Sequence, residues 1–432
     1  MRRIRPGRAA AVASLAAVGV LLAACGSSTS SAPSGSSSAA ASAPVTLTIG
    51  VFGDSFKPDL YKAYESAHPG VTIKEVRADY GTHHNNLQAH LTAGAGAADV
   101  ELVEIGQISG YLGQADKFVN FADQGVDVSQ WTKAKMTQTT TPDGKSVIGL
   151  PTDTGGLAVC YRKDLFAAAG LPSDREAVSK LFPTWEAYVE TGKTFLAKAP
   201  KGVAWFDAAG NLFNGAMGND AETYYNAKGD VVAATNPAVK KAWDLSVSAI
   251  KAGESAKLAG FSPEWNTGFQ RGQFATVTCP AWMLGYIQTN APATKGKWDV
   301  ATVPGGSGNW GGSFASVPTQ GKHVKESVEL AKWLTDPAQA LTVYKTLGNF
   351  PSAVSTWTKP EVADAKNAFF SDAPVGQIFP ASLKNAPVQV YGPQWGLINT
   401  AIGNNLTTVE KGADPATAWS KTLKDIEAAA GS

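Results

Sequence analysis

Strand patterns and helix patterns alternate along this chain, and that alternation constrains its fold more than any other feature. Residues 45–51 alternate apolar with small polar side chains, as a half-buried strand does. Pro58 begins a helical pattern that Pro69 and Gly70 end, and a second strand pattern follows at 71–76. Later helices begin at equally clear signals, namely Thr184, Asn236-Pro237, Asp336-Pro337 and Asp414-Pro415. Strands separated by helices predict an α/β fold with largely parallel sheets.

Length and composition favour a globular body with two lobes. The chain has 432 residues, and the roughly 390 that follow its N-terminal tether exceed what a single hydrophobic core usually holds. Apolar residues make up 44% of the sequence, which excludes a disordered chain. Lys and Arg total 37 against 36 for Asp and Glu. Because no basic surplus is present to attract a phosphate backbone, nucleic acid is not an expected partner.

The N-terminal segment has the parts of an export signal. Four arginines within the first eight residues precede an apolar run over 9–24, and the run ends at Cys25 instead of Ala-x-Ala. This arrangement resembles bacterial lipoprotein signals, which implies a signal peptide over 1–24 and a lipid, typically palmitate, on Cys25. An ordinary signal or anchor, with Cys25 incidental, is the alternative. Residues 25–43, rich in Ser, Gly and Ala, predict a flexible tether. We therefore expect a protein held by its lipid at the outer face of the cytoplasmic membrane.

Two further cysteines, Cys160 and Cys279, each lie late in an apolar run rich in β-branched residues. Outside the cytoplasm disulfides persist, and two neighbouring strands could place these residues at bridging distance. A structural disulfide and two separate buried thiols both remain open.

Loops that follow the predicted strands carry aromatic, acidic and amide side chains. In open α/β sheets ligands bind at the carboxyl ends of the strands, so these loops hold the candidate site residues. The candidates from this position are Asp54, Glu104, Asp153, Trp282 and Trp310. Carboxylates accept hydrogen bonds from sugar hydroxyls, and a broad aromatic ring suits the C–H face of a pyranose. With 12 Trp in the chain, the pattern predicts a carbohydrate site without catalytic residues, metal or cofactor.

The chain also resembles the extracellular solute-binding proteins of ABC sugar importers, the family of the maltose-binding protein. The segments that carry the resemblance are 149–164, 182–186, 310–318 and 329–337. It implies two α/β lobes joined by a hinge, a ligand cleft between them, no enzymatic activity, a monomer, and delivery of sugar to the permease and its ATPase. By this analogy lobe one comprises 44–153 and 311–360, and lobe two comprises 154–310 and 361–432.

The same resemblance assigns roles to individual residues. Asp54 stands where an acidic residue of the family meets sugar hydroxyls, although its neighbour is Ser55 where the maltose binder has lysine. Tyr161 matches a tyrosine that lines the cleft. Trp282 and Trp395 match two tryptophans that stack on sugar rings.

Some residues of this chain also fit other functions. His83, His84 and His90 suggest a metal site, but no further ligand has suitable spacing, and a polar helix start is preferred. The adjacent Tyr224 and Tyr225 are similar to a pair in ferric-ion binders, but a predicted hairpin turn follows them. The same fold binding a polyol, an amino-sugar derivative or a metal ion remains an alternative. A secreted glycoside hydrolase is a second one, and it needs two carboxyl groups flanking one bond.

Overall fold

The computed structural model describes residues 44–431, and its strands form two separate sheets. The predicted signal peptide, Cys25 and the tether up to residue 43 lie outside the described residues. The strands are β1 (Val45–Phe52), β2 (Val71–Ala78), β3 (Val100–Glu104), β4 (Leu150–Pro151), β5 (Leu157–Arg162), β6 (Ala204–Phe206), β7 (Phe274–Pro280), β8 (Trp298–Thr302) and β9 (Ser313–Ser316).

Helices separate and cover these strands. They are α1 (Pro58–Ala67), α2 (Tyr80–Ala93), α3 (Ile105–Ile108), α4 (Lys133–Thr137), α5 (Lys163–Ala168), α6 (Arg175–Leu181), α7 (Trp185–Leu196), α8 (Ala209–Met217), α9 (Pro237–Lys251), α10 (Pro263–Arg271), α11 (Ala281–Asn290), α12 (Val324–Leu334), α13 (Pro337–Leu347), α14 (Pro360–Ala363), α15 (Val375–Lys384), α16 (Trp395–Glu410) and α17 (Pro415–Ala430). Within 44–431, none of them is both long enough and apolar enough to span a bilayer.

The helix starts that the sequence predicts are confirmed. Thr184, Asn236, Asp336 and Asp414 each precede a helix, and each side chain accepts a hydrogen bond of 2.8–3.2 Å from a backbone N–H of the first turn. These bonds satisfy N–H groups that have no partner inside the helix. Strand β4 is very short, because only Leu150–Pro151 joins the sheet there.

The first sheet has the order β2-β1-β3-β9-β4. Strand β1 runs parallel to β2 and β3, whereas β9 runs antiparallel to both β3 and β4. Its core includes Leu47, Ile49, Val100 and Leu102 from the central strands.

The second sheet, with the order β6-β7-β5-β8, corrects the prediction of largely parallel sheets. Strand β5 is antiparallel to both of its neighbours, β7 and β8, whereas β6 pairs with β7 in parallel. Strands β6, β7 and β8 therefore run in one direction and β5 runs in the opposite direction. A helix that crosses back over a sheet joins two parallel strands of that same sheet. Here the chain enters the second sheet from the first and later returns to it, so the alternation of helix and strand does not fix strand direction.

The chain passes between the two sheets through the segments 152–156 and 303–312. The predicted lobe boundaries at 153 and at 310 fall within these segments. A third passage follows α13, whose Tyr344 packs in a core of the second sheet and whose Val343 packs in that of the first. All three predicted boundaries, at 153, 310 and 360, stay predictions.

Cys160 and Cys279 form a disulfide between the neighbouring strands β5 and β7, with Cα atoms 5.4 Å apart. Both residues are fully buried in an apolar core of the second sheet. The disulfide, one of the two arrangements open from the sequence, is the one that the structure has.

Glu254 gives this fold a pH-dependent stability. Its side chain is fully buried, neither carboxyl oxygen has a hydrogen-bond partner in the protein, and burial raises its pKa to about 8. The folded state therefore holds a proton that the unfolded chain releases near pH 4.5, so the free energy of unfolding falls as pH rises from about 4.5 to about 8. We expect Glu254→Gln to stabilise the protein by about 1–3 kcal/mol at pH 8.5 and by much less at pH 5.5.

Urea denaturation at the two pH values measures this difference. Glu222→Gln, at an exposed acidic residue, is the matched control and should change neither value. An equal loss of stability at high pH in wild type and in Glu254→Gln would contradict the assignment.

Candidate functional site

A small cavity lies between residues of the first sheet's half and residues of the second. Ile105, at the end of β3, forms part of its wall, and aromatic and amide side chains form most of the remainder, including Trp310, Trp395, Tyr224, Tyr391, Asn309 and Gln389. Its volume of about 20 Å³ holds one or two water molecules. A sugar ring does not fit this volume, so a ligand of that size requires the walls to move apart.

Trp395 begins α16 and joins the two halves at this cavity. Its ring packs against Tyr224 and Tyr391, with centroids 5.3 and 4.8 Å away. It also lies over Gly106, where a Cβ atom would come within 2.5 Å of the ring. The indole Nε1 is buried without a hydrogen-bond partner in the protein. A buried N–H donor without an acceptor raises the free energy of the folded protein. A ligand or water molecule that accepts a hydrogen bond from this edge of the ring would therefore bind favourably.

Trp310, a residue of the cavity wall, contacts Trp282, which is not among the residues that line the cavity. The Trp282 Nε1 donates a 3.1 Å hydrogen bond to the Trp310 carbonyl, and the two rings meet edge to face with centroids 5.8 Å apart. Phe261 stacks on Trp282 at 5.9 Å and an angle of 27°. Phe261, Trp282 and Trp310 thus form a continuous series of rings, here called the aromatic row, and the sequence predicted two of its members.

Three charged residues, Glu104, Lys135 and Asp153, form what we call the acid–lysine cluster. The Lys135 side chain is only 5% exposed, and its Nζ has no hydrogen-bond partner in the protein. Burial lowers the pKa of Lys135 to about 8, although the charges of Asp153 and Glu104 oppose this shift. Burial raises the pKa of Asp153, and its carboxylate accepts a 2.9 Å bond from the Ser313 N–H.

Glu104 ends β3 and caps the short helix α3. Its Oε2 accepts hydrogen bonds from the Gly106 N–H at 2.7 Å and from the Tyr80 hydroxyl at 3.1 Å. Gln107 donates to the same hydroxyl at 3.0 Å. Burial raises the pKa of Glu104 to about 7, and the two hydrogen bonds and Lys135 lower it less than burial raises it. Carboxylate, amide and phenol groups therefore meet at one end of the first sheet.

Asp54 lies apart from that cluster and pairs with Arg77, whose Nη1 is 2.8 Å from Oδ1. Both side chains are about 40% exposed. Burial raises the pKa of Tyr286 in α11, and the charge of Asp54 adds a smaller increase. The Asp54 carbonyl also accepts a 3.3 Å hydrogen bond from Asn349, and nearby Leu347 lies against Gly285 of α11.

Tyr161 does not line the cleft, so this assignment is corrected. Its ring is fully buried in a core of the second sheet, and its hydroxyl donates to the Ser173 carbonyl at 3.0 Å. His83 and His84 do lie near the start of a helix, since α2 begins at Tyr80, but both side chains are buried instead of facing solvent. Their rings bond to backbone groups, His83 to the Leu102 carbonyl at 2.7 Å.

Several residues of the site were not predicted from the sequence, among them Tyr80, Tyr224 and Lys135. Tyr80 lies two residues after the end of β2, so the rule that selects residues just after strands would have found it. Tyr224 precedes the predicted turn, which is present because the Asn226 N–H donates to the Asp230 carbonyl, but its role in the cavity wall was not expected. Lys135 lies in the short helix α4, and no local pattern indicates it.

Comparison with known proteins assigns the family. A model of the bacterial extracellular solute-binding protein family matches residues 59–370. The chain belongs to this family. A solute-binding protein of this kind works outside the cytoplasm, and the family consists of binding proteins and not of enzymes.

Relatives and solved structures agree with this assignment. The arabinooligosaccharide-binding protein of Bacillus subtilis (strain 168) is 26% identical over 349 residues, which cover 76% of this chain and 78% of that protein. A crystal structure of an extracellular solute-binding protein of family 1 is 43% identical, has a TM-score of 0.78 and matches 90% of this chain and 100% of the other.

An ABC transporter binding protein of B. animalis subsp. lactis Bl-04, solved with beta-1,6-galactobiose, shares the fold of this solute-binding protein. The TM-score is 0.75 at 19% identity, over 89% of this chain and 96% of the other. The predicted fold class, two α/β lobes of the periplasmic-binding-protein type, is confirmed.

We expect Glu104 to make ligand binding by this solute-binding protein dependent on pH. Below its pKa of about 7 the carboxylate gains a proton, and a ligand hydroxyl loses a charged acceptor. We expect affinity for a hydroxylated ligand to be about threefold to tenfold weaker at pH 5.5 than at pH 7.5. Lys135, with a pKa of about 8, stays mostly charged at both values.

Titration calorimetry at pH 5.5 and pH 7.5 measures this effect. Glu104→Gln keeps the shape of the side chain and removes its ionisation, so its affinity should change less between the two pH values. The same dependence on pH in Glu104→Gln as in wild type would assign the titration to another group.

Proposed function

We propose that this protein captures a sugar, an oligosaccharide or a glycoside, between its two lobes and delivers it to the permease of an ABC importer. One observation carries the proposal: Trp310 and Trp395 line the same cavity from the second half of the protein, and Ile105 closes it from the first. A ligand that touches both halves favours the closed state over the open one. Closure then presents a surface that a permease can recognise.

The chemistry around the cavity suits a neutral ligand with many hydroxyls. Indole rings cover the C–H faces of sugar units, and the carboxylates of Glu104 and Asp153 accept hydrogen bonds from hydroxyls. Lys135 balances part of the charge of the two acids. The unpartnered Trp395 Nε1 and Lys135 Nζ add two donors for sugar oxygens.

The hinge of the proposed closure is formed by the segments that pass between the sheets. Gly311 and Gly312 have φ values of +88° and +111°, which favour glycine, and they adjoin Trp310. Lobe one would hold 44–153 and 311–360, and lobe two 154–310 and 361–432. Motion here carries Trp310 with it, so hinge and ligand contact are coupled.

The N-terminal segment supplies the membrane contact in this proposal. Lipid on Cys25, including palmitate, would hold a monomer at the outer face of the cytoplasmic membrane, and the tether of 26–43 would leave the folded body free to turn. Because one acyl chain binds a membrane only weakly, more than one chain on Cys25 is expected.

A thermal-shift screen tests the proposed function. Relatives that bind arabinooligosaccharides and beta-1,6-galactobiose make these the first ligands to try, followed by maltooligosaccharides, polyols, amino sugars and divalent cations. A ligand at 100 times its Kd adds about 2.7 kcal/mol to the free energy of unfolding, so a bound sugar should raise Tm by several degrees. A shift with polyols or cations and none with sugars would contradict the proposal, and hydrolysis of a glycan would favour the glycoside hydrolase instead.

A further inference from the structure

Phe261 has an exposed side chain and an unusual backbone conformation, and the fold requires neither. Its side chain is 52% exposed, and its backbone φ is +66°, in the left-handed region. Among residues 44–431 the other non-glycine residues with positive φ are Lys257, Ser371 and Asp372, all polar. Glycine or asparagine adopts this conformation more easily, and a polar side chain suits the exposure. Stability alone would therefore not select phenylalanine here.

The position of Phe261 indicates why an aromatic ring is present. The ring is the outer member of the aromatic row, stacked on Trp282, which in turn meets Trp310 at the wall of the cavity. Trp265 and Tyr286 hold it from other sides, with centroids 5.2 and 5.7 Å away. A well-supported ring with an open face is a stacking surface for a ligand.

Polar groups of the first half of the protein lie near this end of the row. The Asp54 carbonyl accepts a 3.3 Å hydrogen bond from the Asn349 side chain. Leu347, two residues before Asn349, lies against Gly285, the neighbour of Tyr286, which meets Phe261 edge to face. The ion pair of Asp54 and Arg77 is therefore near the outer end of the row. The pair is half-exposed and offers both an acceptor and donors to hydroxyls. An aromatic face and nearby polar groups are the two elements of a sugar subsite.

We infer that Phe261, with Asp54 and Arg77 nearby, forms an outer subsite for a distal sugar unit, so that the ligand is an oligosaccharide of three or more units. This inference rests on the proposed function and adds the length of the ligand to it. The inner units lie between Trp310 and Trp395, and the chain of the ligand follows the aromatic row outward. Phe261 then determines preference for chain length and contributes little to the binding of short sugars.

Titration calorimetry with two series, arabinose and its oligomers and glucose and the maltooligosaccharides, each of one to five units, tests this inference. Phe261→Asn removes the ring and tolerates the left-handed backbone. We expect it to weaken binding of oligomers of three or more units about threefold to tenfold, to leave shorter sugars within about twofold, and to keep or raise Tm. Phe261→Tyr retains the ring and should bind like wild type.

Each alternative result contradicts either the outer subsite or the proposed function. An unchanged affinity for long oligomers in Phe261→Asn, or an equal loss for all lengths, overturns the outer subsite while the proposed function stands. The same holds if Phe261→Tyr binds as weakly as Phe261→Asn. Val128→Asn, which removes an exposed apolar side chain outside the row, controls for surface effects and should match wild type. Wild-type protein that binds neither series overturns the outer subsite, and wild type that binds no sugar of the wider screen overturns the proposed function.

Discussion

Replacing Trp395 by alanine is expected to weaken sugar binding at least about 30-fold, which corresponds to about 2 kcal/mol. The ring forms part of the cavity wall, joins the cores of both halves and presents an unpartnered Nε1. Its loss would remove a stacking surface and a donor at once. Titration calorimetry with the sugar that gives the largest thermal shift measures the change.

Two controls separate binding from folding in this experiment. Trp395→Phe retains an aromatic face without the Nε1 donor, so its affinity should lie between wild type and Trp395→Ala. Trp419→Ala removes a partly buried indole that packs on Trp243 in α9, outside the cavity wall, and should leave affinity unchanged. A Trp395→Ala protein that melts like wild type and binds sugar within twofold would contradict the assignment of this residue.

Removing the disulfide is expected to have the largest effect on stability. Cys160 and Cys279 are 119 residues apart in sequence, and closing a long loop restricts the unfolded chain. The double variant Cys160→Ala/Cys279→Ala should lose about 2–4 kcal/mol of unfolding free energy, since both positions are also in a packed apolar core. Sugar affinity should stay the same, because neither residue contributes to the cavity wall.

Urea denaturation with and without reductant checks this prediction. Reductant should destabilise wild type toward the value of the double variant and should leave the variant unaffected. If wild type and double variant unfold at the same urea concentration, the disulfide does not form or does not stabilise the fold.

Local signals made most of the secondary structure predictable. An N-cap followed by proline marks a helix start by its own chemistry, so Pro237, Pro337 and Pro415 each occupy the first turn of an observed helix. Strand direction in the second sheet was not predictable in this way. It depends on how the chain crosses between sheets, and no residue within β5 or β7 records that.

Position after a strand predicted part of the candidate site, and resemblance added Trp395, which begins a helix. Glu104 and Asp153 were selected by position alone and belong to one charged cluster with Lys135. Lys135 lies in the short helix α4, which is close in sequence to neither acid, and only the fold brings the three residues together. Tyr161 shows a different error, since it was assigned to the cleft by resemblance, and a matching residue type in β5 does not reveal whether the side chain meets the cleft or the core.

Ligand contact with the cavity tryptophans is the central claim, and a crystal structure of the protein with its tightest-binding oligosaccharide tests it most directly. We predict sugar rings between the two halves, in van der Waals contact with Trp310 and Trp395, with hydroxyls bonded to Glu104 or Asp153. A sugar bound elsewhere on the protein, with both indole rings still packed as they are here, would contradict the account.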